Sequence, residues 1–157
     1  MTQQSNILEV AHEFHNCLGN RLREQIRRGQ QNCIEHGRWI GLAPMGYRNV
    51  RRKGEARVEV NPRVAPLIQQ AFYLAAEGKH SPHTIRHILK ERGLRSRRGK
   101  GMTTWVMIEI LTNPFYMGKM RYKGELYTGL HRPLIDTDLF ETVQRNLTED
   151  QSKKTLL

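Results

Sequence analysis

Apolar side chains recur every three or four residues between positions 5 and 36, which is the spacing of one face of a helix. The pattern predicts a long N-terminal helix, with Ser5 as a candidate cap and with Gly19 and Gly29 favouring a bend or break. An apolar stripe of this length needs a partner: another helix of the chain, a second copy, or another domain. Its members are Ile7, Ala11, Phe14, Leu18, Leu22 and Ile26.

The pattern changes in the next segment. Residues 37–47 read GRWIGLAPMGY, and three glycines and one proline in so short a stretch exclude a regular helix. We predict an extended linker that ends in a tight turn. The segments RNV and RVEV then flank RRKGEA, which predicts a β-hairpin whose tip carries Arg51, Arg52 and Lys53.

Two helix-start signals follow the hairpin. Asn61-Pro62 and Ser81-Pro82 each combine a capping side chain with proline at the first helical position. A glycine follows each predicted helix. The predicted buried positions are Val64, Leu67, Ile68, Ala71, Phe72 and Ala75 in the first helix and Ile85, Ile88 and Leu89 in the second.

A third helix is predicted between Thr103, its cap, and the stop at Asn113-Pro114, with Met102 as a possible hydrophobic staple. A basic, glycine-containing run precedes it, so this part of the chain is predicted to be helix, basic turn, helix. The predicted inward positions are Val106, Met107, Ile110 and Leu111, and the predicted outward positions are Thr104, Trp105, Ile108 and Thr112.

The remaining pattern predicts a second hairpin around Lys123-Gly124, then a last helix capped by Asp136 and a polar tail that frays from Glu149. The predicted buried face of that helix is Leu139, Phe140, Val143 and Leu147. The fold class is α+β, mostly α: a small helical domain with a helix-turn-helix-like core and two short β-hairpins, preceded by a long N-terminal helix. The predicted units are 1–36 (helix), 37–47 (linker), 48–150 (main domain) and 151–157 (tail).

Charge narrows the choice of partner. The 157 residues include 26 Lys and Arg against 15 Asp and Glu, a net charge of +11 that favours polyanions such as nucleic acid. Solvent exposure alone explains a single basic loop. Lys and Arg side chains cluster in three places in this chain, and that repetition favours contact with phosphates. The candidate phosphate-binding residues are Arg27, Arg28, Arg38, Arg48, Arg51, Arg52, Lys53, Arg95, Arg97, Arg98, Lys100, Lys119 and Arg121. If the third helix enters a major groove, the candidate base-reading residues are Thr103, Thr104, Trp105 and Ile108.

Other function classes lack a signal in the sequence. No apolar run is long enough to span a bilayer, no signal-peptide pattern is present, and Cys17 and Cys33 lie on one predicted helix, where they cannot easily pair. We therefore expect a cytoplasmic protein without membrane contact. His83 and His87 share a helical face, but without an acidic or cysteine partner they do not predict a metal site. No cofactor, metal or catalytic set is expected.

The order of the motifs resembles a known family. The chain contains, in sequence, GRWIGLAPMGY, a predicted hairpin, VNPRVAPLIQQAFYLAAEGKHSPHTIRHILKERGL, ILTNPFYMGKM and HRPLIDTDLFETVQ. Together these segments, over residues 37–147, resemble the recombinase domain of large serine recombinases, such as phage integrases and transposases. The resemblance implies sequence-specific binding of duplex DNA at one attachment half-site. It further implies that the linker follows the minor groove and that the helix over 103–112 docks in the adjacent major groove.

The resemblance also implies further domains in the parent protein. In this family a catalytic domain with a serine nucleophile comes first, and residues up to about Arg28 resemble the end of the long helix that leaves it. A zinc-ribbon domain comes last. Neither outer domain is recognisable in this sequence, so we expect no strand cleavage by this segment alone. The serines at positions 5, 81, 96 and 152 are accordingly not candidate nucleophiles.

One departure from the family pattern leaves the role of Trp105 open. The family often has tryptophan immediately before the helix cap, where this chain has Met102, and Trp105 comes three positions later. It is either a displaced core residue or a base-contacting one. The alternative functions are a basic RNA-binding module, a protein-interaction domain that pairs through its first helix, and an intact enzyme.

Overall fold

The computed structural model describes the backbone of residues 2–97 and 99–155 and the side chains of residues 19–97 and 99–149. In these ranges the elements are α1 (Thr2–Glu35), β1 (Tyr47–Arg52), β2 (Glu55–Val60), α2 (Ala65–Ala76), α3 (Pro82–Glu91), α4 (Thr104–Thr112), a 3₁₀ helix (Pro114–Met117), β3 (Lys119–Tyr122), β4 (Glu125–Thr128) and α5 (Thr137–Thr155). The strands form two separate antiparallel hairpins, β1–β2 and β3–β4. The fold is α+β and mostly α, which confirms the predicted class.

The hydrophobic core forms around α2, which packs against α3, α4 and α5. The predicted inward positions of these helices are buried or pack against the buried cluster, because apolar faces with helical spacing meet in one interior. Ile88 is the exception, since it is half-buried and outside this cluster. Fully buried side chains include Ile68, Phe72, Ile85, Leu89, Met107, Leu111 and Val143.

The predicted start of α2 is wrong by a few residues. Asn61 does not cap the helix; its Oδ1 accepts a hydrogen bond from the Arg63 amide at 3.1 Å, and its carbonyl accepts one from the Ala65 amide at 2.8 Å. These bonds form a turn, and the helix begins at Ala65. Pro66 lacks an amide hydrogen, so the helical ladder cannot extend back to the carbonyl of Pro62.

The predicted caps of the later helices are confirmed. Ser81 Oγ accepts a hydrogen bond from the Thr84 amide, and Thr103 Oγ1 accepts one from the Val106 amide, each at 3.3 Å. Asp136 caps α5 in the same way at 2.8 Å. Each bond satisfies an amide that the first helical turn would otherwise leave without a partner.

The two hairpins close through matching turns. Lys53-Gly54 and Lys123-Gly124 all have positive φ, between 50° and 88°, as the tight turns that suit twisted antiparallel strands require. The first turn is shorter than predicted. Arg51 and Arg52 lie in β1, paired with Ala56 and Glu55 of β2, and only Lys53 of the three predicted tip residues is in the turn.

The long helix α1 is continuous through Gly19 and Gly29, so neither glycine breaks it. It begins at Thr2, which places Ser5 inside the helix rather than at its cap. The predicted apolar positions up to Leu18, and Cys17, lie outside the described side chains. At the other end Ile34 is 1% exposed and anchors α1 to the core, whereas Leu22 and Ile26 are 58% and 52% exposed. The apolar stripe therefore has no cover at these two positions.

The last helix extends further than predicted. The pattern predicted fraying from Glu149, but α5 continues to Thr155. Its described part carries the predicted buried face, with Phe140 and Val143 in the core.

Two amide side chains of α5 bond to the ends of other helices. Asn146 Nδ2 donates to the carbonyls of Ala75 and Ala76 at 2.9 Å, and Gln144 Nε2 donates to the carbonyl of Leu111 at 2.8 Å. These bonds fix α2 and α4 relative to α5.

Candidate nucleic-acid interface

The helix α4 presents an outer face that the core does not use. Its inward positions are filled by Met107, Ile110 and Leu111. Trp105 on the opposite side is 68% exposed, which excludes a core role in this fold. Thr104, Ile108 and Thr112 are half-buried, and Glu109 is exposed. Of the four predicted outward positions, Trp105 is therefore exposed and the other three are only partly accessible.

A side chain on α3 holds the start of α4 in place. Arg86 Nη1 donates a hydrogen bond to the Met102 carbonyl at 3.1 Å, just before the Thr103 cap. The guanidinium also contacts His83 Nε2 at 3.3 Å. Arg86 thus couples the two helices across the basic loop. The sequence analysis did not single out this residue, because an arginine on a short amphipathic helix has the same pattern whether it faces solvent or a neighbouring loop.

The linker over 37–47 is extended but firmly attached. Asn49 of β1 bonds it twice: its Oδ1 accepts from the Ala43 amide and its Nδ2 donates to the Gly41 carbonyl, each at 2.8 Å. The Tyr116 hydroxyl donates to the Met45 carbonyl at 2.8 Å. Trp39 packs edge-on against Phe115, with ring centroids 4.9 Å apart. These contacts give the linker one defined path over the domain.

A trough of about 590 Å³ lies between the linker and α4. Its linker side is formed by Trp39, Pro44 and Met45, and its α4 side includes Val106, Glu109 and Ile110. Arg97 of the basic loop and Arg121 of β3 also line it, and both are exposed. The linker, the basic loop, α4, the 3₁₀ helix and β3 therefore share one concave surface, which the sequence analysis did not predict.

Several of the predicted basic residues already have partners within the protein. Arg28 pairs with Glu24 at 2.7 Å, and Arg52 and Arg48 both pair with Glu59, at 2.6 Å and 3.4 Å. These two guanidiniums, Arg52 first, lower the pKa of the Glu59 carboxyl. Two further predicted cations bond to uncharged oxygens. Arg95 donates to the carbonyls of Lys90, in the last turn of α3, and Leu94, just after it. Lys119 donates to Thr128 Oγ1.

Seven other predicted basic residues have no partner within the described part of the chain. Arg98 lies outside the described residues. Within residues 19–97 and 99–149, no ion pair and no side-chain hydrogen bond involves Arg27, Arg38, Arg51, Lys53, Arg97, Lys100 or Arg121. Their positive charges are accordingly available to an external anion.

A buried histidine that the sequence analysis passed over supports the same region. His131 is 8% exposed and stacks on Phe115, with ring centroids 3.6 Å apart and planes 6° from parallel. Its Nε2 donates to the Phe115 carbonyl at 2.7 Å, while Nδ1 is buried without a partner among the described residues. Burial lowers the pKa of His131. The ring also lies against Gly129, which leaves no room for a side chain there.

The described residues show neither a metal cluster nor a membrane-spanning helix. Within the described residues, no cluster of three or more His, Cys, Asp or Glu side chains is placed to hold a metal ion. In the same residues no helix is long and apolar enough to cross a bilayer.

The comparison with protein families decides the assignment. The model of the Recombinase family matches residues 62–150, more than half of the chain. The chain belongs to the Recombinase family. A search among curated proteins finds no match. The family assignment confirms the resemblance noted in the motif order.

Two solved structures share the fold. One, from work on the sequence requirements of the Listeria innocua prophage attP site, is 23% identical, with a TM-score of 0.65 over 79% of this chain and 51% of that chain. The other, the crystal structure of an LSR–DNA complex, is 22% identical, with a TM-score of 0.63 over 79% of this chain and 39% of that chain. This Recombinase-family chain thus spans about half of the first protein and less of the second.

Proposed function

We propose that this chain binds duplex DNA sequence-specifically, at one attachment half-site of a serine site-specific recombinase. The observation that carries the proposal is the trough between the linker and α4, lined by the unpaired cations Arg97 and Arg121. The family match supports a recombinase role. The similar solved structures concern a prophage attP site and a complex of an LSR (large serine recombinase) with DNA, which supports duplex DNA as the ligand.

In the proposed complex α4 enters the major groove. Its outer face would place the exposed Trp105 and the half-buried Thr104 and Ile108 against base edges, where threonine and apolar groups contact the thymine methyl. The unpaired cations of the basic loop and hairpins would contact phosphates, which positions the domain without reading sequence. The linker, held by Asn49 and Tyr116, would follow the adjacent minor groove.

The parent protein is proposed to be a site-specific recombinase for DNA integration, excision or transposition. This chain covers 51% and 39% of the two similar proteins, so we propose that a serine catalytic domain and a zinc-ribbon domain belong to the same parent chain. Self-association through α1 is proposed as well, because Leu22 and Ile26 on its apolar stripe are exposed. On this proposal the segment itself selects the site and does not cleave.

The proposal is tested by selecting binding sites from a random duplex library and measuring affinity for the selected site. Arg97→Ala should lower affinity for all sequences about equally, whereas Trp105→Ala should change the selected sequence. Arg145→Ala, a change of an exposed residue on α5, is the matched control and should do neither. A wild-type chain that enriches no duplex, or that prefers structured RNA in competition, would overturn the proposal and favour an RNA-binding module.

A further inference from the structure

An acidic residue lies in the trough where the proposed function needs positive charge. Glu109 is exposed on α4, one helical turn after Trp105, and lines the same trough as Arg97 and Arg121. In a chain with a net charge of +11, a carboxylate here opposes the attraction of phosphate groups to this surface. Its placement is therefore unfavourable for general DNA affinity.

The two glutamates of the first hairpin are paired within the protein, whereas Glu109 has no ion-pair partner among the described residues. Glu55 pairs with Arg57 at 3.0 Å, and Glu59 pairs with two arginines of β1. Among residues 19–97 and 99–149, no cation lies within 4.0 Å of the Glu109 carboxylate. Within this part of the chain no side chain occupies its hydrogen-bond acceptors, which can therefore meet an external donor.

The major groove offers this carboxylate two kinds of donor, the N4 amino group of cytosine and the N6 amino group of adenine. Adenine also presents N7, an acceptor, beside its amino group, and that nitrogen repels the second carboxylate oxygen. Cytosine has no acceptor at the corresponding place. A lone carboxylate on the groove-facing side of a helix thus favours cytosine over adenine, and it disfavours bases that present only acceptors.

We infer that Glu109 is a specificity-determining residue that selects a C·G base pair. The inference rests on the proposed binding of duplex DNA through α4. Four residues of helix span about 6 Å, and base pairs are stacked about 3.4 Å apart. The cytosine therefore lies within about two base pairs of the position whose preference changes in Trp105→Ala.

The test is binding-site selection with the wild type, Glu109→Gln and the control Glu141→Gln, which removes the same charge from an exposed position on α5. Glutamine has nearly the shape of glutamate and bonds adenine through N6 and N7. We expect Glu109→Gln to change the selected base from cytosine to adenine, with discrimination between the two sites changing about tenfold. Its affinity for random duplex should rise about threefold more than that of Glu141→Gln, because a repulsive charge has left the interface.

The outcomes separate this inference from the proposed function. If the wild type selects a defined duplex site and Glu109→Gln selects the same site with the same discrimination, Glu109 does not read a base and the inference fails alone. An equal rise in random-duplex affinity for both variants would also contradict it. If the wild type selects no duplex at all, the proposed function fails first. Thermal unfolding of each variant checks that the exposed substitutions leave the fold intact.

Discussion

At the scale of single residues, the structure shows which aromatic side chains are exposed and which are buried, as Trp105 and His131 illustrate. Trp105 lies on a helix whose inward positions are already filled, so its ring is 68% exposed. His131 lies in a loop with no periodic pattern, yet its ring is buried in a stack with Phe115. Helical spacing places Trp105 on the outer side of α4, but it leaves open whether the ring is a displaced core residue. The burial of His131 depends on contacts between distant parts of the chain.

The burial of His131 predicts a dependence of stability on pH. The pKa of the folded His131 lies below its ordinary value of 6.5 because burial disfavours the charged ring. The unfolded chain therefore takes up the proton at a higher pH than the folded chain. The free energy of unfolding should be highest above about pH 6.5 and should fall as the pH drops through that value.

Chemical denaturation between pH 8 and pH 5 measures this dependence. His131→Gln keeps a donor for the Phe115 carbonyl but does not titrate, so it should show a smaller loss of stability on acidification. A variant whose loss equals that of the wild type would show that other groups dominate the pH dependence.

At the scale of elements, the path of the linker is decided by a side chain from the following strand. Gly41 and Ala43 of the linker both bond to the side chain of Asn49, in β1. Ala43 is 1% exposed, so its amide has no access to water. Similarly, α4 starts where Arg86 of α3 and the Thr103 cap meet. The linker and α4, the two parts of the proposed interface that face the DNA grooves, are thus held in place by side chains of other elements.

Replacing Asn49 tests this arrangement. Asn49→Ala leaves the buried Ala43 amide without an acceptor, which should lower the free energy of unfolding by about 1–3 kcal/mol. Asn49→Asp keeps that acceptor but sets a carboxylate oxygen against the exposed Gly41 carbonyl, so its stability should lie between those of Asn49→Ala and the wild type. Urea denaturation of the three proteins measures both differences. Equal stability of Asn49→Ala and the wild type would mean that the linker does not depend on this contact.

At the scale of the whole molecule, the 26 Lys and Arg side chains are more than are free to meet a ligand. Part of the positive charge is used internally, in the pairs that Glu24, Glu55 and Glu59 form with nearby arginines. The free cations come from α1, the linker, both hairpins and the basic loop. A proposed DNA surface built from so many parts is expected to bind through many phosphate contacts at once.

This distribution predicts a steep dependence of DNA affinity on salt. Neutralising about six to ten phosphates lowers affinity by about 10³–10⁵ between about 50 and 200 mM salt. Fluorescence anisotropy on the selected site at several salt concentrations gives the slope. Arg51→Ala, which removes an unpaired cation, should reduce the slope by about 0.9. Arg52→Ala should reduce it less, since Arg52 is paired with Glu59. Binding that does not respond to salt would contradict a phosphate-based interface.

Local patterns in the sequence determine most of the elements. Helical spacing, proline and glycine signals and capping residues predict the order of helices and hairpins, because these effects act within a few residues. The misplaced start of α2 shows the limit of that reasoning. There Asn61 and Pro62 have the composition of a cap, but Pro66 and the turn at Asn61 decide where the regular ladder can begin.

The sequence by itself therefore determined the fold class, the family resemblance and the basic clusters, all of which depend on local order and composition. Only the tertiary structure decided which of those cations are free, which side chains hold the linker, and that Arg97, Arg121 and Glu109 share one trough. The physical reason is that ion pairs and concave surfaces are made between residues far apart in the chain, and no local pattern records which partner each one meets.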